Sequence, residues 1–407
     1  MSPVNPVRQG GADVTTPLAS DVAFTATPER RALRASAAAF TRREIAPHLQ
    51  EWEDAGALPR ELHATTARAG LLAVGFDEAV GGDGGDLLDS LTVTEGMFDG
   101  GGSGGLVASL FTHGIALPHI ATAGDPALID RFVRPTLAGA TIGSLAITEP
   151  EGGSDVASIR TRAVRDGDHY VVNGAKTFIT SGTRADFVTT AVRTGGDFEP
   201  GRGHGGVSLL VVEAGTPGFT VDRKLDKMGW HCSDTAQLSF VDCRVPAVNL
   251  VGGEGTGFVQ IAEQFVVERI GLAVQGYGAA ARALALAAAY AHERETFGKP
   301  LASRQVVRHK LVEMRRQVEV ARTYTHAVAA RHVAGEQVIA EACLAKDTAV
   351  RTAEQVCHEA VQLFGGTGYM RGSEVERHYR DVRLLGIGGG ATEVLADLSA
   401  RLLGYAA

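Results

Sequence analysis

The 407-residue chain has only four cysteines, no surplus of positive charge and no long apolar run. Cys232, Cys243, Cys343 and Cys357 show no metal-type spacing, so we expect reduced, buried thiols and no metal site. Lysine and arginine number 39 against 47 aspartates and glutamates, and this acidic balance argues against nucleic acid as the main partner. No stretch approaches ~18 uninterrupted apolar residues, so no membrane span is expected.

The beginning of the chain also lacks the charged and apolar segments of a secretory signal, so we expect no signal peptide. The hydrophobic content of 44% is ordinary for a globular protein and is ample for a large core. A cytoplasmic enzyme fits these properties. The length of 407 residues allows about two to three domains.

The residue pattern changes twice along the chain, from helical to β and back to helical. Short β-branched segments in the middle are separated by Asp166-Gly167 and Asn173-Gly174, which are tight-turn signals. Long stretches of helix formers after Gly257 predict an antiparallel bundle of four helices. This order is not the alternation of a dinucleotide-binding sheet, and it predicts an α+β multidomain fold. The expected segments are a flexible tail at 1–24, an N-terminal helical domain at 25–141, a middle β domain at 142–252 and a C-terminal bundle at 253–407.

Two neighbouring segments of the middle domain are suited to binding a ligand. They read Ala-Ile-Thr-Glu-Pro-Glu-Gly-Gly-Ser-Asp at 146–155 and Asn-Gly-Ala-Lys-Thr-Phe-Ile-Thr at 173–180. On a regular strand, Phe178 and Thr180 share one face, where a ring beside a hydroxyl can seat a flat heterocycle. Gly152 and Gly153 let the backbone beside Ser154 approach a pyrophosphate closely. Taken singly, the same residues also fit an ordinary core position, a strand and a surface loop.

Two further segments belong to the C-terminal region. They read Arg-Glu-Thr-Phe-Gly-Lys at 294–299 and Gln-Leu-Phe-Gly-Gly-Thr-Gly-Tyr at 362–369. The Arg294 guanidinium is suited to a pyrophosphate because it can pair bidentately with phosphate oxygens. A helix C-terminus that ends at Gly298 explains Arg294 and Gly298 without a ligand, but it does not explain Thr296 and Phe297 together.

In order and spacing, these segments resemble the acyl-CoA dehydrogenase family over roughly residues 25–405. The resemblance implies a β-barrel-like middle domain, a C-terminal four-helix bundle, non-covalent FAD and a tetramer. It also implies α,β-dehydrogenation of an acyl-CoA thioester. A base removes the α proton, the β hydride goes to flavin N5, and an electron-transfer flavoprotein takes the electrons.

The resemblance also assigns roles around the cofactor. Thr148 meets the pyrimidine edge of the flavin, Ser154 the pyrophosphate, Phe178 the isoalloxazine and Thr180 its N5. Arg294 reaches the pyrophosphate across a subunit interface, and the last glycine-rich segment borders the adenosine part. The implied cofactor-binding residues are Leu145, Ile147, Thr148, Gly153, Ser154, Phe178, Ile179, Thr180, Arg294, Thr296, Phe297, Gln305, Gln362, Gly365, Gly366, Ala391 and Glu393.

The reaction needs a carboxylate that is close to the substrate and shielded from water. Many family members carry that glutamate near the C-terminus, but the corresponding residue here is Gly389, whose N–H can donate to the thioester carbonyl. Glu268 instead lies on an apolar stripe with Phe265 and Leu272, where a carboxylate is costly and needs a reason.

The segment Val267-Glu268-Arg269-Ile270 resembles long-chain and isovaleryl-CoA dehydrogenases, which carry the base in a Glu-Arg pair. The implied catalytic residues are therefore Glu268 and Gly389. An ion pair that only shapes the core is the alternative reading of Glu268. The implied substrate-binding residues are Ser154, Val267, Arg269 and Gly390.

Other functions on the same fold remain open. They are an acyl-carrier-protein dehydrogenase, a flavin oxidase or monooxygenase, and a non-catalytic partner subunit. The sequence also leaves open the length and branching of the acyl chain, the pathway, the electron acceptor, and a dimer versus a tetramer.

Overall fold

The structure is a computed structural model that describes residues 22, 24–195 and 205–406. Of the tail expected at 1–24, only Val22 and Phe24 fall within the described residues. Helices come first, an eight-stranded sheet follows and helices return after it, which confirms the α+β class and its helical–β–helical order. All four cysteines are free and buried, as expected.

The N-terminal helices begin where the sequence supplies caps. The Thr27 side chain accepts a hydrogen bond from Arg30 N, and Pro28 occupies the first turn. Asp86 and Asp89 form a reciprocal capping box at the start of the second long helix. The helices are α1 (Pro28–Phe40), α2 (Leu49–Ala55), α3 (Glu61–Arg68), α4 (Leu87–Asp99), α5 (Gly104–Leu110), α6 (His113–Ala116), α7 (Pro118–Ala123), α8 (Pro126–Leu128) and α9 (Arg134–Leu137).

The middle region forms one sheet that is buried on both faces at its centre. The strands are β1 (Gly143–Ala146), β2 (Arg162–Asp166), β3 (His169–Thr180), β4 (Phe187–Arg193), β5 (Val207–Glu213), β6 (Phe219–Lys224), β7 (Thr235–Pro246) and β8 (Leu250–Val251). Their order is β6-β7-β3-β2-β4-β5-β8, with β1 added in parallel beside β4. The side chains of β4 are buried throughout, because helices of the N-terminal region cover one face and the domain core fills the other.

Helices return in the C-terminal region. They are α10 (Gly257–Glu293), α11 (Gln305–Val333), α12 (Ile339–Phe364), α13 (Gly366–Tyr369), α14 (Glu374–Val382) and α15 (Thr392–Leu402), with a hairpin of β9 (Glu295–Thr296) and β10 (Lys299–Pro300) after α10. The last helix of the expected bundle is α15, which has only 11 residues, and α14 was not predicted. Its sequence is dominated by charged residues, yet Val375, Arg377, His378 and Asp381 are buried by the neighbouring elements.

The helix α10 is the central element of the C-terminal region. It packs against α11 and α12 of the bundle and against α4 of the N-terminal region. It is long and apolar enough to cross a membrane, but 72% of its apolar window is buried inside the fold. Its position in the core therefore accounts for its composition.

A buried ionic cluster around Glu95 joins four helices. Glu95 Oε1 accepts hydrogen bonds from Arg322 Nε at 2.8 Å and Tyr277 Oη at 2.9 Å, and Arg34 Nη1 lies 3.2 Å from Oε2. His326 Nε2 lies 3.0 Å from Oε1. Burial favours a raised pKa for Glu95, but Arg34, His326 and Arg322 hold it well below its usual range. The cluster therefore fastens α1, α4, α10 and α11 together through one carboxylate.

Replacing this carboxylate is expected to destabilise the whole fold. Glu95→Gln removes the carboxylate that pairs with the buried Arg322 and that Arg34 shares with Asp99, which costs about 3–5 kcal/mol. Urea unfolding followed by circular dichroism measures the loss. The control is Asp397→Asn, which breaks the exposed Asp397–Arg401 pair and leaves the midpoint nearly unchanged. Equal midpoints for the two variants would contradict the role of the cluster.

Candidate functional site

The two ligand-suited segments of the middle domain are joined by direct hydrogen bonds. Lys176 Nζ donates to Ile147 O at 2.9 Å and to Glu149 Oε1 at 2.8 Å. Thr177 N donates to Thr148 O at 2.9 Å. The loop after β1 is thus held on the second half of β3, and the predicted residues Ile147 and Thr148 lie beside that strand.

The ion pair between Lys176 and Glu149, which joins the two segments, is buried. The Lys176 side chain is completely buried, and burial lowers the pKa of its ammonium to about 8 against the opposing effect of Glu149. Glu149 also accepts from Arg160 N at 2.7 Å and Thr161 N at 2.9 Å. The pKa of this carboxyl is lowered, because these partners outweigh its burial. Glu149 is thus held by three donors, which favours a structural role for this carboxylate.

The strand that carries Phe178 is not regular. The pairing of β3 with β7 shifts register between Lys176 and Ile179, and Phe178 has a φ of 61°. The expectation of a regular strand is therefore wrong at this point, because a bulge replaces simple alternation. The Phe178 ring stands 69% exposed, while Ile179 is buried and Thr180 is half-buried. A strained aromatic residue with an open face is typical of a ligand-contact position.

The rest of this group lies on β1, at the end of β3 and in the loop after Glu149. Ser144 Oγ donates to Thr180 O at 2.6 Å, which links β1 to the end of β3. Leu145 is half-buried on β1. Gly153 and Ser154 are exposed in the loop that follows Glu149. This exposed loop contains glycines and follows the segment that is hydrogen-bonded to β3, so its backbone is accessible to a polar ligand.

The two positions considered for the base lie against each other. Glu268 belongs to α10, and Gly389 belongs to the turn before α15. A Cβ atom built on Gly389 would lie 3.6 Å from Glu268 Oε1 and 2.2 Å from Leu272 Cδ1. Leu272 fills the space that a side chain at 389 would need, and the Glu268 carboxylate reaches the same place from the helix. The structure therefore brings the two predicted catalytic residues together.

The environment of Glu268 differs from that of the paired carboxylates. Glu268 makes no hydrogen bond with the residues that the structure describes. Burial raises the pKa of its carboxyl, and Arg269 and Lys346 offset this only in part. Arg269 is buried, its Cζ lies 5.5 Å from the centroid of the Phe265 ring, and its Nε has no hydrogen-bond partner within the described chain. A carboxylate of this kind is suited to accepting a proton.

Two of the other predicted substrate contacts, Val267 and Gly390, flank the same carboxylate. Val267 is half-buried beside Glu268 on α10, and Gly390 follows Gly389 in the turn. Gly390 has a φ of 96° and Gly389 a φ of 64°, which side chains rarely adopt. Ala391 and Glu393 begin α15 on the far side of the turn, with Glu393 exposed.

The Arg294 segment forms an exposed hairpin. Thr296 pairs with Lys299 across a two-residue turn in which Phe297 and Gly298 have φ values of 52° and 72°. Phe297 is 97% exposed, and the Arg304 guanidinium lies 5.8 Å from the centre of its ring. Arg294 and Gln305, which stand before and after the hairpin, are exposed as well. The hairpin thus presents an arginine and an aromatic ring to solvent.

The Gln362 segment lies at the same end of the bundle. The rings of Tyr290 and Phe364 stack with centroids 4.2 Å apart, so the ends of α10 and α12 meet there. Gln362, Gly365 and Gly366 are exposed, and Gly365 turns the chain with a φ of 60°.

This second group is far from the base. From Glu268, the helix α10 runs about 39 Å before it reaches the Arg294 hairpin. Most of the predicted cofactor residues therefore fall into two groups, one in the middle domain and one at the end of the bundle where α10 and α12 meet.

Two lysines were missed by the sequence reasoning. Lys176 and Lys346 have completely buried side chains, and each donates to a backbone carbonyl of the predicted site. A signal for Lys346 was available, because it lies among alanines on α12 just as Glu268 lies on an apolar stripe of α10. The sequence alone does not show which carbonyls these lysines reach.

Comparison with known proteins covers nearly the whole chain. Three family models match, described as the N-terminal, middle and C-terminal domains of acyl-CoA dehydrogenase, at residues 27–140, 144–243 and 255–404. The mitochondrial long-chain specific acyl-CoA dehydrogenase of Sus scrofa is 36% identical over 374 residues, which cover 92% of this chain and 86% of that protein.

Solved structures agree with this comparison. A probable acyl CoA dehydrogenase from Mycobacterium abscessus is 63% identical with a TM-score of 0.91, covering 93% of this chain and 100% of that one. A chain of a structure described as the electron transferring flavoprotein of Acidaminococcus fermentans is 33% identical with a TM-score of 0.88. That match covers 93% of this chain and 98% of the other.

The crowding at Gly389 gives a test of the site geometry. Gly389→Ala forces a side chain into a positive φ and against Leu272, so we expect a loss of about 1–3 kcal/mol. Urea unfolding measures it, with Gly388→Ala as the control, because a Cβ there has its nearest neighbour at 3.7 Å. Equal stability of the two variants would contradict the close packing of Leu272 against position 389.

Proposed function

The chain belongs to the acyl-CoA dehydrogenase family, and from this premise we propose that it oxidises an acyl-CoA thioester to the trans-2-enoyl-CoA with FAD. The observation that carries the proposal is the meeting of Glu268 with Gly389, since a Cβ at position 389 would lie 3.6 Å from the carboxylate. The family position for the base is vacant, and a second carboxylate occupies its space from α10.

Glu268 is the proposed base for the α proton. Because no residue of the described chain donates a hydrogen bond to its carboxyl and burial raises its pKa, the carboxylate gains more from taking a proton than a paired one does. Gly389 contributes its N–H to the thioester carbonyl, where charge develops as the proton leaves. Val267, Arg269, Gly390 and Ser154 are the proposed substrate contacts. Bound FAD supplies the acceptor for the β hydride.

The residues of the middle domain fit the flavin part of the cofactor. Phe178 offers an exposed ring at a strained position, and Thr148 and Thr180 lie on the two segments that Lys176 and its neighbours hold together. The exposed loop at Gly153 suits the pyrophosphate.

The second group of cofactor residues supports a homotetramer. Arg294, Thr296 and Phe297 lie about 39 Å of helix from Glu268, and this separation supports the proposal that they serve the cofactor of another copy. Phe297, Tyr369 and Val306 are large apolar side chains at this end and stand 97%, 77% and 61% exposed. A second copy of the chain is the proposed cover for them.

We also propose an electron-transfer flavoprotein as the acceptor and fatty acid metabolism as the context. The chain similar to this one in the Acidaminococcus fermentans structure supports that acceptor. A cytoplasmic location is proposed from the four free, buried thiols, because a reducing compartment maintains cysteines in this form.

Removing the proposed base tests the function. In Glu268→Gln holoenzyme, the rate of flavin bleaching by acyl-CoA without oxygen should fall by about 10²–10⁴-fold, because the amide cannot take the α proton. A panel of straight, branched and aromatic acyl-CoAs gives the substrate. The control is Glu263→Gln, an exposed glutamate on the same helix that should bleach at the normal rate.

Undiminished bleaching in Glu268→Gln would exclude this carboxylate as the base. Rapid reoxidation of the reduced wild-type flavin by oxygen would instead favour oxidase or monooxygenase chemistry. Bleaching with an acyl-carrier-protein thioester but with no acyl-CoA would favour the carrier-protein alternative.

The hydrogen bonds from Lys176 and Thr177 that hold the loop after β1 on β3, called the clamp, predict an effect on FAD affinity. Lys176→Met leaves the buried Glu149 carboxylate without its cation and frees the loop at Thr148, so FAD affinity should fall by about tenfold or more. Equilibrium dialysis of FAD measures it. The matched control is Lys224→Met, an exposed lysine that also donates to a backbone carbonyl, that of Gly56. Equal FAD affinity in the two variants would contradict the clamp.

A further inference from the structure

A lysine lies inside the bundle next to the proposed base. The side chain of Lys346 on α12 is completely buried, and Ala342, Ala345 and Ala349 share its face of the helix. Burying an amine costs free energy unless a partner compensates for it. The position of Lys346 therefore calls for a partner inside the protein.

The nearest partner of Lys346 is the glycine turn of the site. Lys346 Nζ donates to Gly390 O at 2.7 Å, a short bond of the charge-assisted kind. Gly389 and Gly390 both have positive φ, so the turn makes a sharp bend that leaves its carbonyl pointing at α12. The lysine thus fastens the turn that borders the Glu268 carboxylate.

Lys346 also acts on Glu268 through its charge. The pKa of the Glu268 carboxyl is raised by burial and is lowered by Arg269 and Lys346, the two cations that face it. Burial lowers the pKa of the Lys346 ammonium, and Glu268 opposes that effect. The two groups therefore stabilise each other's charged forms in a poorly hydrated place.

Other charged groups surround the lysine. The titratable groups that face Lys346 are Asp347 and Cys343 on α12, and Arg269 and Glu268 on α10. Those that face Asp347 in turn are Lys346, Arg351 and Glu393. Among these groups, Asp347 has the largest opposing effect on the lowered pKa of Lys346, and burial is the main cause that raises the pKa of Asp347 itself.

We propose that Lys346 is the positioning residue of the catalytic base: its ammonium holds the Gly389–Gly390 turn against Glu268, and its charge favours the ionised form of that carboxylate. This inference rests on the proposed function, because it requires Glu268 to be the base. Lys346 itself does not need to touch the substrate, since it acts through the turn and through its charge.

The test compares two neutral variants of the holoenzyme. Lys346→Met removes both the charge and the donor, and because removing one member of a buried ionic group destabilises a fold, only holoenzyme that retains FAD is compared. Lys346→Gln removes the charge but keeps an N–H donor for Gly390. The reductive bleaching of the flavin is measured in stopped flow against pH and acyl-CoA concentration.

The expected result is a shift of the acid side of the rate profile. Bleaching needs the ionised carboxylate, so its rate rises with pH through the pKa of Glu268. Loss of the lysine cation raises that pKa, and the rise should move to higher pH by about one unit in both variants. The limiting rate should fall further in Lys346→Met than in Lys346→Gln, because only the former loses the tie to the turn.

The control is Lys310→Met, which removes a lysine that pairs with Glu359 and should leave the profile in place. An unmoved acid limb in either neutral variant that retains FAD overturns the inference. A normal rate in Glu268→Gln would show instead that the proposed base is wrong. Loss of bleaching in Glu268→Gln together with unmoved limbs in the Lys346 variants rejects only the role of Lys346.

Discussion

The stability and the proposed chemistry of this protein both depend on the free-energy cost of burying charged groups. Glu95 and Glu149 are buried carboxylates that are surrounded by donors, and the pKa of each is lowered. Glu268 is half-buried and has no such donors among the residues that the structure describes, and its pKa is raised. The same residue type therefore stabilises the fold in two places and, in the proposed function, accepts a proton in the third. The number of donors around each carboxylate separates these roles more clearly than burial does.

In the proposed active site, the carboxylate needed for one reaction can come from either of two positions in the fold, 268 on α10 or 389 in the turn. The turn at Gly389 approaches α10 so closely that Leu272 and Glu268 occupy the space of any side chain there. A glutamate at 389 and the present packing of α10 exclude each other. The position of the base thus depends on how α10 packs against the turn at Gly389. Replacing Gly389 alone by glutamate would not move the base from α10 to the turn.

Much of this could be predicted from the sequence, and the parts that could not share a physical cause. The helical–β–helical order followed from residue patterns, and Glu268 stood out because a carboxylate on an apolar stripe is costly. The bulge at Phe178 could not be predicted, because it depends on the register between two distant strands. The partners of Lys176 and Lys346 were hidden for a similar reason. They are backbone carbonyls, which every residue possesses and no pattern marks.

The exposed hairpin at Phe297 has a consequence for how the protein behaves on dilution. If the arginine and the ring of this hairpin serve the cofactor of another copy, then assembly and FAD binding are thermodynamically linked. Each copy that joins raises the affinity for the cofactor, and each cofactor that binds favours joining. Enzyme activity per chain would then depend on protein concentration, although every residue of the base and of the flavin clamp belongs to a single chain.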